Sequence, residues 1–133
     1  MNATPAAITA QWAPRLLSLL RIVAALLFLT HGLQKLFGFP TAPTHPNPFT
    51  LLWFAAVLEL GGGLLLLAGF FTRPVAFLLS GQMAFAYFIA HAPRSFYPAV
   101  NGGDAAVLFC FLFLYLSAAG PGPWSLDHAR RRT

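Results

Sequence analysis

The stretch that decides the fold is residues 50–71, which reads TLLWFAAVLELGGGLLLLAGFF. It carries one charged residue, Glu59, among residues that are nearly all apolar or small. An α-helix rises ~1.5 Å per residue, so about 20 such residues cross the ~30 Å hydrocarbon core of a bilayer. The segment therefore predicts a membrane-spanning helix with an acid near the middle of the membrane.

Three further segments have the same character. The four predicted helices cover residues 15–37, 50–71, 74–91 and 104–119, and stretches rich in proline or glycine separate them. Pro74 suits the first turn of the third helix, where its missing N–H costs nothing. The first segment lacks the basic start and the cleavage site of a secretory signal, so we expect it in the mature protein. The predicted fold is all-α, a transmembrane four-helix bundle formed by residues 1–133 as one domain.

Composition agrees with a membrane protein. Hydrophobic residues make up 58% of the chain and charged residues 8%, against roughly a quarter charged in soluble domains. The net charge of +5 comes from basic residues at segment ends and not from a binding stripe, so no nucleic-acid partner is expected. Membrane lipid is the expected surrounding, and homo-oligomerisation is left open.

The distribution of basic residues predicts a multi-pass orientation with both termini in the cytoplasm. This orientation leaves only Lys35 and Arg94 outside. The residues that it places inside are Arg15, Arg21, Arg73, Arg130, Arg131 and Arg132.

Metal and redox cofactors have no recognisable ligand set in this sequence. None of the four histidines lies four residues from another, and there is no Cys-x-x-Cys, so no metal site is predicted. Cys110 is the only cysteine, which excludes an intrachain disulfide. Because haem, flavin and iron–sulfur ligands are also lacking, any redox role would draw electrons from a partner protein.

The polar residues of the first two predicted helices suggest a site. Charge near the bilayer centre costs about 2.5–3.5 kcal/mol, so Glu59 needs a partner. His31, Gln34 and Lys35 share one helix face by their i, i+3 and i+4 spacing, and this face is predicted to meet Glu59. A purely structural interpretation stays open, in which Glu59 forms an ion pair that fixes helix register.

The third and fourth helices add polar groups that we expect in the same half of the membrane. Tyr87 and His91 follow Met83 at i, i+4 spacing, whereas Gln82 is expected to project elsewhere. Residues 101–104, Asn-Gly-Gly-Asp, lead into the fourth helix, with Asp104 as the predicted N-cap. The alternative for Asn101 and Asp104 is a role in the turn and the cap alone.

Several motifs, taken together and in order, resemble the DoxX family. The resemblance covers residues 16–127 and is carried by LTHGLQKLFG at 29–38, LELGGG at 58–63, GFFTR at 69–73, NGGDAA at 101–106 and GPGPWSLD at 120–127. It implies a small four-helix protein of the bacterial cytoplasmic membrane. It also implies a link to quinone-coupled sulfur oxidation and to membrane-associated oxidoreductase complexes.

Matching the family's motifs residue by residue gives the candidate functional positions. These are His31, Lys35, Glu59, Asn101 and Asp104, with Gln34, Tyr87 and His91 as secondary candidates. Asp104 stands where the family usually has Glu.

Three functional hypotheses follow. The first is a redox-associated subunit that binds a quinone or another lipophilic molecule, with Glu59 and His31 as proton-handling groups, and acts with a membrane or periplasmic oxidoreductase. The second is a non-enzymatic scaffold or assembly factor, and the third is a small transporter or proton path.

Overall fold

Helices account for most of the chain in the computed structural model, which describes residues 4–41 and 45–132. They are α1 (Pro5–Phe37), α2 (Leu51–Ala68), α3 (Thr72–Ala86), α4 (Pro98–Asn101), α5 (Asp104–Ala119) and α6 (Leu126–Arg130), and a π-helical turn (Tyr87–His91) continues α3. No β-strand occurs in the described ranges. The predicted all-α fold is confirmed.

Three helices are long and apolar enough to cross a membrane: α1, α2, and α3 with its π-helical turn. The fourth apolar helix, α5, has 16 residues and is about 24 Å long, somewhat short of the ~30 Å hydrocarbon core. These four helices agree with the predicted bundle. The chain connects them so that residues 38–41, 45–50 and 92–103 lie at one end, here called the loop end. Residues 69–71 and 120–127 lie at the other end, and residues 120–127 are called the closing segment.

Helix α1 begins at Pro5, well before the predicted start at residue 15. Thr4 caps it by accepting a hydrogen bond from the N–H of Ala7, and proline at the first helical position already has a suitable φ. The prediction stopped at the apolar boundary near Arg15, but the helix continues through Pro14. With 33 residues it is about 50 Å long and extends beyond the hydrocarbon core.

The bundle has an apolar core and an apolar outer surface. α1 packs along α2, α3 packs along α5, and α2 also contacts α3. In the core the ring of Phe28 meets that of Phe113 edge-on, with centroids 4.9 Å apart. Large apolar side chains also face outward, among them Phe85 and Leu108, each 70% exposed. An outer surface of this kind suits lipid and not water.

The closest helix crossing is at Gly32, where α1 meets α2. A Cβ atom at this position would lie 2.7 Å from the backbone N of Leu60 and 3.1 Å from the carbonyl oxygen of Ala56. The glycines of α2 have more space next to backbone atoms, because a Cβ at Gly63 would lie 3.3 Å from Leu29 Cα, Gly62 faces the side chain of Leu79, and Gly61 faces open space. Small residues allow this approach, as is usual for membrane helices.

Candidate functional site

The predicted pairing of Glu59 with the polar face of α1 is present, and Lys35 is the residue that makes it. Lys35 Nζ lies 2.6 Å from Glu59 Oε1, and the side chains are 29% and 3% exposed. Gln82 of α3 completes what we call the acid cluster. Its Nε2 donates to the Ala55 carbonyl at 3.0 Å and, more weakly, to Glu59 Oε1 at 3.5 Å. Gln82 thus projects away from the face of Tyr87 and His91, as expected, but its contact with Glu59 was not predicted.

Two oxygens of the acid cluster have no donor among the described residues. These are Glu59 Oε2 and Gln82 Oε1, both buried. A buried polar atom without a hydrogen bond costs roughly 1–3 kcal/mol, so each one calls for an explanation. Glu59 Oε2 can accept a proton, and both oxygens can accept a hydrogen bond from a hydroxyl or amine donor. The cluster therefore has two hydrogen-bond acceptors that a bound donor could satisfy.

His31 and Gln34 do not join the acid cluster. His31 is exposed, its Nδ1–H donates to the Leu27 carbonyl at 3.1 Å, and its ring meets that of Phe109 edge-on. Of the two partners predicted for Glu59, Lys35 forms the pair, and no hydrogen bond joins His31 to Glu59 among the described residues. The Gln34 side chain is half-buried and makes no hydrogen bond within the described part of the chain. Of the polar face predicted on α1, only Lys35 forms a hydrogen bond to α2 among the described residues.

Asn101, Tyr87 and His91 form a second cluster at the loop end. The buried Asn101 donates from Nδ2 to the Ser95 carbonyl at 2.7 Å and accepts at Oδ1 from the Gly103 N–H at 2.7 Å. Tyr87 donates its hydroxyl hydrogen to the Phe96 carbonyl, and His91 Nδ1–H donates to the Asn101 carbonyl at 3.2 Å. Asn101 therefore holds the 92–103 loop against the π-helical turn.

Asp104 differs from its prediction. Gly103, not Asp104, is the N-cap of α5, and no side chain caps this helix. Asp104 occupies the first turn, where a negative charge is favoured by the helix dipole, and its side chain is exposed. No hydrogen bond joins Asp104 or the Asn101 cluster to the acid cluster among the described residues. The polar candidates therefore do not form one site: Lys35 and Glu59 form one cluster, Asn101, Tyr87 and His91 form another, and within the described ranges His31, Gln34 and Asp104 are hydrogen-bonded to neither.

Arg21 belongs to a third polar group, at the end of the bundle opposite the loop end, here called the closing end. It was assigned only a topological role from sequence, but its side chain is 1% exposed. Its guanidinium donates to the carbonyls of Pro121 and Trp124, and Trp124 N–H donates to Ser18 Oγ at 3.1 Å. A Cβ at Gly122 would lie 2.9 Å from Ser18 N, so a glycine is required here. The closing segment is thus held against α1 by hydrogen bonds.

Asp127 fastens the same segment to the start of α3. Its two carboxylate oxygens each accept a backbone N–H at 2.9 Å, from Phe71 and from Thr72. Partial burial raises the pKa of Asp127, but these hydrogen bonds and the charge of Arg131 outweigh burial, so the pKa lies below its ordinary value. The carboxylate also sits favourably at the positive end of the helix dipole. The sequence identifies Asp127 as part of a motif but does not predict these hydrogen bonds.

Metal binding has no support within the described ranges. No group of three His, Cys, Asp or Glu side chains is placed to hold an ion there. Cys110 is a free thiol whose sulfur lies 3.6 Å from Ser80 Oγ.

Comparison with known proteins gives consistent matches. The family model described as DoxX matches residues 16–92. An "Uncharacterized protein" of Haemophilus influenzae is 41% identical over 124 residues, covering 89% of this chain and 92% of the relative. The Escherichia coli proteins "Inner membrane protein YqjF" and "Inner membrane protein YphA" are 32% and 31% identical. These alignments cover 80% and 86% of this chain and 85% and 89% of those proteins. No solved structure matches the chain significantly.

Proposed function

The chain belongs to the DoxX family of membrane proteins, and from that premise we propose that it is a redox-associated subunit whose acid cluster handles protons for a quinone or similar lipophilic molecule. The observation that carries the proposal is the carboxylate of Glu59. One of its oxygens is paired with Lys35, and the other is buried with no donor in the part of the chain that the structure describes. A buried ionisable group of this kind in a membrane helix is a candidate functional group by its cost alone.

The residues of the cluster fit a ligand that exchanges protons. A quinone takes up protons together with electrons when it is reduced. Glu59 Oε2 can take up a proton, and Gln82 Oε1 can accept a hydrogen bond from a hydroxyl donor, which supports this assignment. Lys35 is partly exposed and holds the other carboxylate oxygen. The pair therefore links a buried carboxylate to the surface at the loop end.

The proposed subunit acts with a partner. The sequence has no recognisable ligand set for haem, flavin or an iron–sulfur cluster, so a membrane or periplasmic oxidoreductase would supply the electrons. We further propose the bacterial cytoplasmic membrane with both termini inside, from the relatives named as inner membrane proteins and from the basic residues. Even without the buried Arg21, the remaining basic residues favour this orientation.

A scaffold or assembly factor is the second candidate, and two observations favour it. The ion pair between Lys35 and Glu59 is short, and it could serve only to fix the register of α1 against α2. Gly32 and the closing segment give a tightly fastened bundle, which suits a docking partner for another membrane protein.

Purification followed by lipid extraction separates the two candidates. Protein is isolated from membranes in mild detergent, and both its co-purifying proteins and its extracted lipids are analysed by mass spectrometry. Quinone retained at near-stoichiometric level, above its proportion in bulk membrane lipid, supports the redox subunit. A stoichiometric protein partner with quinone only at the bulk proportion would replace this proposal with the scaffold.

A further inference from the structure

We propose that a basic groove at the closing end binds the phosphate of an anionic phospholipid. The groove has a volume of about 340 Å³ and is lined by the start of α3, by Pro121 and by α6. A second groove of about 300 Å³ shares Arg73, Pro121 and Arg131 with it. The two form one concave surface, which is distinct from the acid cluster.

Charge is the first argument for this ligand. The larger groove is lined by Arg73, Arg130 and Arg131 and by one acid, Asp127. Both oxygens of Asp127 already accept backbone N–H groups at the start of α3, so the acid is engaged within the protein. The groove keeps an excess of positive charge. Basic recesses between helix ends at the membrane surface are known to suit anionic lipid headgroups.

Donor geometry is the second argument. Arg73 uses Nη1 to donate to the carbonyls of Ser117 and Ala118. Its Nε and Nη2 have no acceptor within the described chain. Arg131 is exposed and is attracted to Asp127 only through its charge. The exposed Arg73 guanidinium is anchored through Nη1, and its remaining N–H groups are donors that suit a phosphate.

The surface beside the groove suits acyl chains, and this favours a lipid over free phosphate. Phe77 lies four residues after Arg73, on the same face of α3, and is 66% exposed. Phe71 lines the groove and is 54% exposed. Trp124 of the closing segment is 53% exposed, and tryptophan prefers the headgroup region. A phosphate held at Arg73 would thus place its acyl chains along α3.

The test compares two neighbouring arginines. Arg131 lines the groove and Arg132 does not, although both are exposed and each substitution removes one positive charge. Detergent-solubilised wild type, Arg131→Gln and Arg132→Gln are titrated with phosphatidylglycerol, and bound lipid is quantified by native mass spectrometry. We expect Arg131→Gln to weaken binding about tenfold, the effect of one lost charge-assisted hydrogen bond, and Arg132→Gln to leave it unchanged within twofold. Arg73→Gln serves as a second groove variant, with thermal unfolding as its folding control.

Three results would overturn the proposal. Equal losses of phosphatidylglycerol binding in Arg131→Gln and Arg132→Gln would show that binding depends on net charge and not on the groove. Equal binding of phosphatidylcholine would show that an anionic headgroup is not recognised. Displacement of phosphatidylglycerol by inorganic phosphate at comparable concentration would assign the groove to a soluble anion instead.

Discussion

Glu59 lies within α2, and Lys35 is the cation that makes a carboxylate tolerable there. Their side chains differ in exposure, since Lys35 retains contact with the surroundings and Glu59 does not. Removing the lysine would leave a buried charge without its partner. Removing both charges would leave a neutral and largely apolar contact. Removing one charge should therefore destabilise the protein more than removing both. That difference distinguishes a buried ion pair from two charged groups that only lie close together.

We expect Lys35→Met to lower the free energy of unfolding by up to about 3 kcal/mol, near the lower end for breaking a buried pair because Lys35 is partly exposed. Combining it with Glu59→Gln should recover most of that loss. Thermal unfolding of both variants in detergent provides the measurement. If the double variant is less stable than Lys35→Met, the desolvation argument fails.

The acid cluster was only partly predictable from sequence. Lys35 followed from helix periodicity, since it shares a face with His31 and lies near the end of an apolar segment. Gln82 did not, because its direction depends on how α3 is rotated against α2, and no periodicity within α3 determines that rotation. Asp104 was assigned as a cap from residue type, whereas the turn at Gly103 places it one position further along.

At the scale of the helix, the crossing of α1 and α2 depends on Gly32 more than on the three consecutive glycines that attract attention in the sequence. The atoms near Gly32 are backbone atoms, which cannot rotate away. Gly62 faces the flexible end of Leu79, and Gly61 faces no atom within 4 Å. Sequence predicted that α2 packs closely through its glycines. It could not show that the partner glycine on α1 leaves the least space.

Gly32→Ala should therefore lower the free energy of unfolding by about 1–3 kcal/mol, the usual cost of overpacking. Gly61→Ala, which makes the same chemical change at an open position, should be neutral or slightly stabilising because alanine favours the helix. Thermal unfolding in one detergent compares the two. Equal stability of both variants would show that the crossing is not closely packed.

Across the whole molecule, the closing segment joins the ends of the long helices. Arg21 binds it to α1, Asp127 binds it to α3, and Arg73 of α3 donates to the last carbonyls of α5. Four-helix topology was readable from apolar length and from the breaks between segments. The hydrogen bonds of Arg21 to the closing segment could not be predicted in this way. Arg21 resembles an ordinary interfacial arginine in the sequence, and only the fold brings the carbonyls of residues 121 and 124 to it.

The Asp127 fastening predicts acid sensitivity. Since its folded pKa lies below the ordinary value of 3.8, the stabilisation is fully present above that value and is lost as the pH falls through the folded pKa. Asp127→Asn should be less stable than wild type at about pH 7, and the difference should shrink toward about pH 3. Thermal unfolding across this range tests it. If the stability difference between Asp127→Asn and wild type is the same at every pH, the charge of the carboxylate does not contribute to it.

The proposed orientation is tested by cysteine labelling in a Cys110→Ser background. Residues 42–44 of the expected external loop lie outside the described residues, so the exposed Thr41 is used, with the exposed Ala129 at the opposite end. In intact cells an impermeant thiol reagent should block a cysteine at position 41 and not one at position 129. The reverse pattern would invert the assignment.

The most direct test of the proton-handling role is Glu59→Gln, measured as quinone retained per mole of purified protein at matched thermal stability. Glutamine keeps the size and the hydrogen-bonding capacity of glutamate but removes the ionisable proton, so folding should be preserved. Asp104→Asn is the control, an exposed acid in the loop-end half that lies outside the cluster. We predict that Glu59→Gln unfolds within a few degrees of wild type, loses most of the retained quinone, and that Asp104→Asn retains it. Wild-type retention by a stably folded Glu59→Gln protein would contradict the proposed role of the acid cluster.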